Sequence, residues 1–207
     1  GSFWRMKISS RQRRAFLNKM RQQSEKIDWI LQSLFKMVNL EQGAVVFEAG
    51  PLPVKATILD AVTAVWDRAD GRNISIVTEP FADRILWHNR KWTAEVLVNI
   101  LENAVKYTSP GGSITIRVRS TEMYTEIAVQ DTGRGIRPEE LTEIFKRFYR
   151  SRDVENLEGS GIGLYLSRLI LEREKGYLTA SSVPGEGSTF SVFLQNCQNL
   201  NQNLSGE

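Results

Sequence analysis

Four polar side chains fall in one line along the segment 91–107: Asn99, Asn103, Lys106 and Tyr107, at spacings i, i+4, i+7 and i+8. On a helical wheel they border a broad apolar arc of Val96, Leu97, Ile100, Leu101, Ala104 and Val105. Amide oxygens suit a hard cation such as Mg²⁺, an ammonium suits phosphate, and a phenol ring can pack against a base. An amphipathic helix whose polar edge faces water carries the same pattern, so the stripe alone leaves both readings open. A second group, Asp131-Thr-Gly133-Arg-Gly135-Ile136, directly follows a predicted strand. Its two glycines let the backbone turn sharply and approach a ligand, and an acid ending a buried strand can accept from an exocyclic amine. A plain β-turn uses the same residue types. A third group, Gly159-Ser160-Gly161-Ile162-Gly163-Leu164, runs into a helix whose bare N–H groups and dipole favour phosphate, or is a flexible loop with a glycine start. Gly185-Glu-Gly187-Ser-Thr189-Phe190 reads on its own as a hairpin turn.

Rival nucleotide sites fail on spacing. The chain has no G-x-x-x-x-G-K-[ST], so a P-loop is out. The run from Gly159 is G-x-G-x-G and does not follow a strand, which argues against a dinucleotide fingerprint. Neither H-R-D nor D-F-G occurs, which removes the Ser/Thr/Tyr kinase reading. His88 is the one histidine, so neither a Ser-His-Asp triad nor a histidine metal site has enough parts.

The elements that must position these groups change character near residue 43. Residues 10–38 contain no Gly or Pro, and Phe16, Met20, Ile27, Ile30/Leu31, Leu34 and Met37/Val38 recur at helical spacing. Such a stripe needs a partner helix, and Asn39 to Gly43 reads as the stop. An α/β pattern follows: strands near 45–47, 74–78 and 85–87, a helix at 54–69, and a helix at 91–107 capped by Asn89. Paired strands at 113–120 and 125–131, a short helix from Pro138, a helix at 162–175 with Gly176 as its C′ residue, and strands at 177–182 and 188–194 complete it. The polar tail 196–207 reads as frayed.

Composition places the 207 residues among globular proteins, since 41% are hydrophobic and 25% charged. Residues 1–25 hold seven Lys/Arg against Glu25, a net +6, which leaves −3 on the rest. A basic arm on a mildly acidic body reads as a solvated helix face, and no nucleic-acid partner is expected. Cys197 is the single cysteine, so no intrachain disulfide forms. No apolar run is long enough to span a membrane. Gly1-Ser2 reads as a cloning remnant, and the chain as a piece of something longer.

Taken together, NILENAVKYT (99–108), DTGRGI (131–136), IFKRFYRS (144–151), GSGIGL (159–164) and GEGSTF (185–190) resemble the N, G1, F, G2 and G3 boxes of sensor histidine kinases, members of the GHKL ATPase superfamily. The resemblance covers residues 44–195 as the catalytic and ATP-binding domain, with a lid at about 137–160. The helix in 1–43 is similar to the second helix of the dimerisation and histidine-phosphotransfer hairpin. The implied fold is α+β: a two-layer sandwich of a mixed, largely antiparallel sheet with helices on one face, preceded by a long N-terminal helix.

Residue by residue, the resemblance implies that Asn103 binds Mg²⁺ through its side-chain oxygen, with Asn99 one turn earlier near phosphates and metal. Lys106 would contact phosphate and Tyr107 the base or ribose. Asp131 would accept from the adenine amino group, selecting ATP over GTP, with Gly133 and Gly135 allowing close approach and Ile136 beside them. Phe145 and Phe148 would anchor the lid, and Arg147 or Arg150 would reach the γ-phosphate. Gly159, Ser160, Gly161, Ile162, Gly163 and Leu164 would surround the phosphates, and Thr189 would close the adenine pocket. The implied chemistry is phosphoryl transfer from MgATP to a histidine, resting on positioning and charge neutralisation. The acceptor block of His, acid, basic residue, Thr and Pro is absent; His88 lacks the Pro and reads as a strand-end histidine. The parent would be a membrane-anchored bacterial homodimer with this portion cytoplasmic, passing phosphate to a response-regulator aspartate. The alternatives are a nucleotide-binding regulator without kinase activity, or an ATPase clamp, whose members carry Glu where Asn99 stands; Glu102 is the nearest acid, off the line of Asn103.

Overall fold

The alternation in residues 113–131 builds the centre of a five-stranded sheet. A computed structural model describes residues 9–151 and 160–197. In chain order the elements are α1 (Ser10–Glu41), β1 (Gly50–Pro53), α2 (Val54–Asp70), β2 (Ser75–Thr78), β3 (Ile85–His88), α3 (Arg90–Tyr107), β4 (Ser113–Ser120), β5 (Tyr124–Asp131), α4 (Gly163–Arg173), β6 (Tyr177–Val183) and β7 (Gly187–Gln195). Two 3-10 turns, Pro138–Glu140 and Glu143–Phe145, lie between β5 and α4. The sheet order is β2-β4-β5-β7-β6, parallel between β2 and β4 and antiparallel elsewhere; β1 and β3 form a separate antiparallel ribbon.

Alternate residues of the central strands, among them Ile114, Ile116, Ile127, Val129, Val192 and Leu194, meet Ile58, Ala61, Val96, Ile100, Leu166 and Ile170 from α2, α3 and α4 in one core. Each fully buried Ile or Leu there contributes about 1.5–3 kcal/mol. The other sheet face carries Arg117, which bonds Glu79 and Gln130, and the stacked rings of Tyr177 and Phe193 at 4.4 Å. This is the expected α+β sandwich with helices on one face.

Several local expectations shift. The first strand lies at Gly50–Pro53 rather than 45–47, paired with Ile85–His88. Phe47 instead stacks on Trp92 at 5.8 Å, and the two prolines that disguise β1 are tolerated because the strand sits at an edge. Helix α4 starts and stops inside the predicted span, and Lys175, not Gly176, takes the left-handed conformation at φ 56°. Gly176 is needed for another reason: a side chain there would collide with the Phe193 carbonyl. The tail is ordered at its start, since Asn196 donates its N–H to Met123 O and accepts from the Thr125 hydroxyl at 2.7 Å, capping the β4–β5 turn. The remaining tail, 198–207, lies outside the described residues.

Helix α1 covers only part of its apolar stripe within the chain. Its start is set by a capping box between Ser9 and Gln12. Ile30, Leu34, Met37 and Leu40 pack on the core of the following domain. Phe16, Met20, Ile27, Leu31, Phe35 and Val38 are exposed. The helix is tied down by Lys36 to Glu95 at 2.7 Å, by Tyr165 O–H to Glu41 at 2.8 Å, and by Arg173 to the Leu40 carbonyl.

Two buried titratable groups hold the start of α3. His88 is fully buried, with Nδ1 at 3.1 Å from the Leu86 carbonyl and Nε2 at 2.8 Å from the Thr57 hydroxyl. The carbonyl can only accept, so Nδ1 carries the proton and Nε2 accepts from Thr57. A strand-end structural histidine is what the sequence predicts. Glu174, also fully buried, accepts from the Asn89 N–H at 2.9 Å and the Thr93 hydroxyl at 2.8 Å. Burial pushes its carboxyl up to about 7, against those two hydrogen bonds. The native chain thus keeps a proton that the unfolded chain, with its ordinary value of 4.5, releases. The stability is complete below 4.5 and is lost as pH rises to about 7, an effect on the order of 3 kcal/mol. His88 acts oppositely: burial lowers it from 6.5, so its contribution is present above 6.5 and lost as pH falls below that value. Glu174→Gln keeps an acceptor for both donors. Its thermal midpoint, subtracted from that of wild type, should therefore change by about 6–12 °C between pH 4.5 and 7. Parallel profiles would contradict this account of Glu174.

Candidate functional site

Asn89 caps α3 by accepting from the N–H groups of Lys91 and Trp92, and the apolar arc of the helix is buried as its pattern requires. The polar stripe then borders a cleft of about 960 Å³ between α3, the 131–136 loop, the segment 140–151 and the start of α4. Asn99, Asn103, Lys106 and Tyr107 all line it. Asn99 is buried, and its Nδ2 donates to the Gly163 carbonyl and the Ser167 hydroxyl, both at 3.3 Å, joining α3 to the start of α4. Lys106 Nζ donates to the Tyr107 hydroxyl at 3.0 Å and lies 4.7 Å from its ring centroid. Glu102 also lines the cleft, but its carboxylate is paired with Arg68.

Asp131 ends β5 and is buried in the cleft wall. Its Oδ1 accepts from the Gly133 N–H at 2.8 Å and from the Ser188 N–H at 3.3 Å. Burial pushes this carboxyl above its ordinary range, against those two N–H groups. With Oδ1 occupied twice, Oδ2 is the acceptor left for a ligand. The loop glycines serve the protein's own packing. A side chain on Gly133 would meet Asp131 Oδ1 and the Tyr107 carbonyl at 2.7 Å, and one on Gly135, at φ 71°, would collide with the Val183 carbonyl. Gly135 and Ile136 line the cleft, while Gly133 does not and is bonded through its N–H to Asp131.

The glycine run before α4 divides. Ser160, Gly161, Gly163 and Leu164 line the cleft, whereas Ile162 is fully buried in the core and anchors the run. Gly161 sits at φ 70°, where a side chain would lie 2.6 Å from the Tyr149 carbonyl, and its own carbonyl accepts from Phe148 N–H at 3.0 Å. Gly159 lies outside the described residues.

In the segment 138–151, Phe145 packs on the core, whereas Phe148 is exposed, at φ 62°, with its ring 4.8 Å from the Arg147 guanidinium. Arg150 lines the cleft and Arg147 does not. Thr189 is also displaced. Asp131 pairs directly with Ser188, so Ser188 and Phe190 share its sheet face and line the cleft, while Thr189 falls on the other face. The period-two alternation of β7, read from that pairing, carries this signal.

The sequence reading also missed Glu140, Tyr149 and Ser151, all in the cleft wall. Burial would push the Glu140 carboxyl up, but hydrogen bonds from Arg137, Ser151 and Tyr149 hold it below its ordinary value. That buried acid ties the first 3-10 turn to the segment 149–151. Trp29 and Ile30 of α1 complete the mouth of the cleft.

The cleft thus combines Lys106, Arg134 and Arg150 with amides and backbone N–H groups, which suits phosphate, and a buried acceptor, which suits an amine. Among the described residues no group of His, Cys, Asp and Glu could hold a metal ion by itself. Cleft size, charge and donor types fit an adenine nucleotide.

A family model described as histidine kinase-, DNA gyrase B-, and HSP90-like ATPase matches residues 88–198. The phosphate regulon sensor protein PhoR of Pseudomonas aeruginosa is 33% identical over 184 residues, covering 88% of this chain and 42% of that protein. The sensor histidine kinase RppB of Synechocystis is 29% identical over 181 residues, covering 86% and 40%. The chain thus spans about two fifths of the length of these curated relatives. Among solved structures, full-length ShkA in complex with AMPPNP superposes with a TM-score of 0.77 at 19% identity, over 93% of this chain and 41% of that one. Acinetobacter baumannii histidine kinase AdeS gives 0.73 at 20%, over 93% and 87%. These structural likenesses are likenesses of fold.

Proposed function

This chain belongs to the histidine kinase-, DNA gyrase B- and HSP90-like ATPase family, and from that premise we propose that residues 44–195 are the ATP-binding catalytic domain of a sensor histidine kinase. The observation that carries this reading is the shared cleft of Asn99, Asn103, Lys106 and Asp131, with an amide rather than a free carboxylate at Asn99. Asp131 Oδ2 accepts from the adenine amine, and Tyr107 packs against base or ribose. Lys106, Arg150 and the N–H groups at Gly161 and Gly163 hold the phosphates. Ser188 takes the place first expected of Thr189.

The donor set fits Mg²⁺ in company with the triphosphate, because Asn103 and Asn99 offer amide oxygens and, among the described residues, no acidic cluster surrounds them. Asn103 would hold the ion, and when bound the ion neutralises charge on the phosphates. The chain's own residues bind, orient and shield the transferring group from water. The acceptor is a histidine carried by the hairpin whose second helix is α1, since His88 is buried with both nitrogens engaged. The outward apolar face of α1 supports pairing with the first hairpin helix and with a second copy. A response-regulator aspartate receives the phosphate next. Among the described residues no helix is long and apolar enough to cross a membrane.

The test is transfer in trans. The chain, mixed with a hairpin bearing the acceptor histidine and γ-labelled ATP, should place acid-labile phosphate on the hairpin and none on itself. Without a tether the local concentration advantage, of millimolar order, is absent, so the rate should be modest. Steady ATP hydrolysis without transfer, abolished by Glu102→Gln, would favour the ATPase clamp instead.

A further inference from the structure

The C-terminal end of α3 carries Lys106 and Tyr107, and a helix end leaves its last carbonyls without intrahelical partners. Here four consecutive carbonyls are each accounted for. Arg72 Nη1 donates to Val105 O and, at 3.0 Å, to Lys106 O, and Nη2 donates to Thr108 O at 3.1 Å. The fourth carbonyl, Tyr107 O, accepts from the Arg134 N–H of the 131–136 loop at 3.4 Å. A side chain at Gly133 would come within 2.7 Å of that same oxygen. One guanidinium and one glycine loop therefore both hold the end of the helix.

Arg72 is itself rigidly mounted. It sits in the turn after α2, where Asn73 adopts φ 54° and its carbonyl accepts from the Gly111 N–H at 2.8 Å. Its planar fork reaches three carbonyls at once, which a lysine ammonium could not do in the same geometry. Its charge also complements the negative end of the α3 dipole. Arg72 lines the cleft beside Lys106 and Tyr107, whose ammonium and hydroxyl are bonded to each other at 3.0 Å.

We propose that Arg72 is a positioning residue of the nucleotide site: by closing the end of α3 against the turn 71–73, it sets where the Lys106 ammonium and the Tyr107 ring meet the nucleotide. The inference rests on the nucleotide reading of the cleft. Arg72 acts through those two side chains, so its effect on binding must vanish when they are removed.

A mutant cycle decides this. Binding of a non-hydrolysable MgATP analogue is measured by calorimetry for wild type, Arg72→Met, Lys106→Met with Tyr107→Leu, and all three changes together. Thermal midpoints without nucleotide report the folding cost separately. Arg72→Met should weaken binding about 10-fold in the wild-type background and less than about 2-fold when Lys106 and Tyr107 are already replaced. Arg72→Lys, which keeps the charge and loses the fork, should fold and still bind more weakly than wild type; it carries the test if Arg72→Met does not fold. A lowered midpoint with unchanged affinity in Arg72→Lys and Arg72→Met would overturn the inference, as would an equal effect in both backgrounds. No binding by the wild-type chain would overturn the nucleotide reading and this inference with it.

Discussion

Asp131→Asn should lower affinity for an ATP analogue by about 30- to 150-fold, from the 2–3 kcal/mol expected when a buried polar partner is mismatched. The substitution is nearly isosteric, so the effect is chemical. Asp131 Oδ1 already accepts from the Gly133 and Ser188 N–H groups. An asparagine must turn its single oxygen toward those two donors, which places its NH₂ where Oδ2 stood. A donor then faces the adenine amine. The same NH₂ suits the guanine carbonyl, so the preference for adenine should fall or reverse. Folding should be little affected at neutral pH, because the amide removes a charge that burial disfavours. Titrations with ATP and GTP analogues, beside a thermal melt, check all three parts. Equal affinities for wild type and variant would remove Asp131 from the site.

Asn103→Ala should reduce phosphate transfer to a supplied hairpin by about 10²–10³-fold, the scale of losing one aligned electrostatic partner. The side chain lies one helical turn beyond Asn99 in the same cleft wall. No acidic cluster among the described residues can replace it as a metal ligand. Nucleotide affinity measured without Mg²⁺ should change little, while the gain on adding Mg²⁺ should shrink. Transfer assays at saturating nucleotide separate the two quantities. Asn103→Asp keeps an oxygen but adds a charge facing the phosphates, so its Mg²⁺ dependence should steepen. A variant that transfers at the wild-type rate would exclude Asn103 from that role.

Much of the site could be read from sequence because it depends on local spacing. The stripe Asn99, Asn103, Lys106 and Tyr107 follows from helix periodicity alone, and Asp131 stands at the end of a well-patterned strand. The parts that escaped depend on long-range pairing. Which of Ser188 and Thr189 faces the cleft is set by the pairing of Asp131 with Ser188, more than fifty residues apart in the chain. Arg72 reaches carbonyls over thirty residues ahead of it, and Glu140 meets the Tyr149 hydroxyl nine residues on. Gly133, Gly135 and Gly161 were recognisable as required glycines, but spacing cannot tell whether a ligand or the protein's own backbone comes close; here it is the backbone. Strand β1 was hidden by Pro51 and Pro53, residues that deplete most strands and are permitted at an edge. The apolar stripe of helix α1 is legible from spacing, but which of its positions the chain itself covers depends on long-range packing.

The central claim is that this cleft binds MgATP through Asp131 and the α3 stripe. Calorimetric titration of the chain with a non-hydrolysable ATP analogue, with and without Mg²⁺ and beside the matching GTP analogue, addresses it most directly. The account predicts one site per chain, tighter with Mg²⁺ and selective for adenine. Heats that do not saturate at millimolar nucleotide, or equal affinity for the two bases, would contradict it.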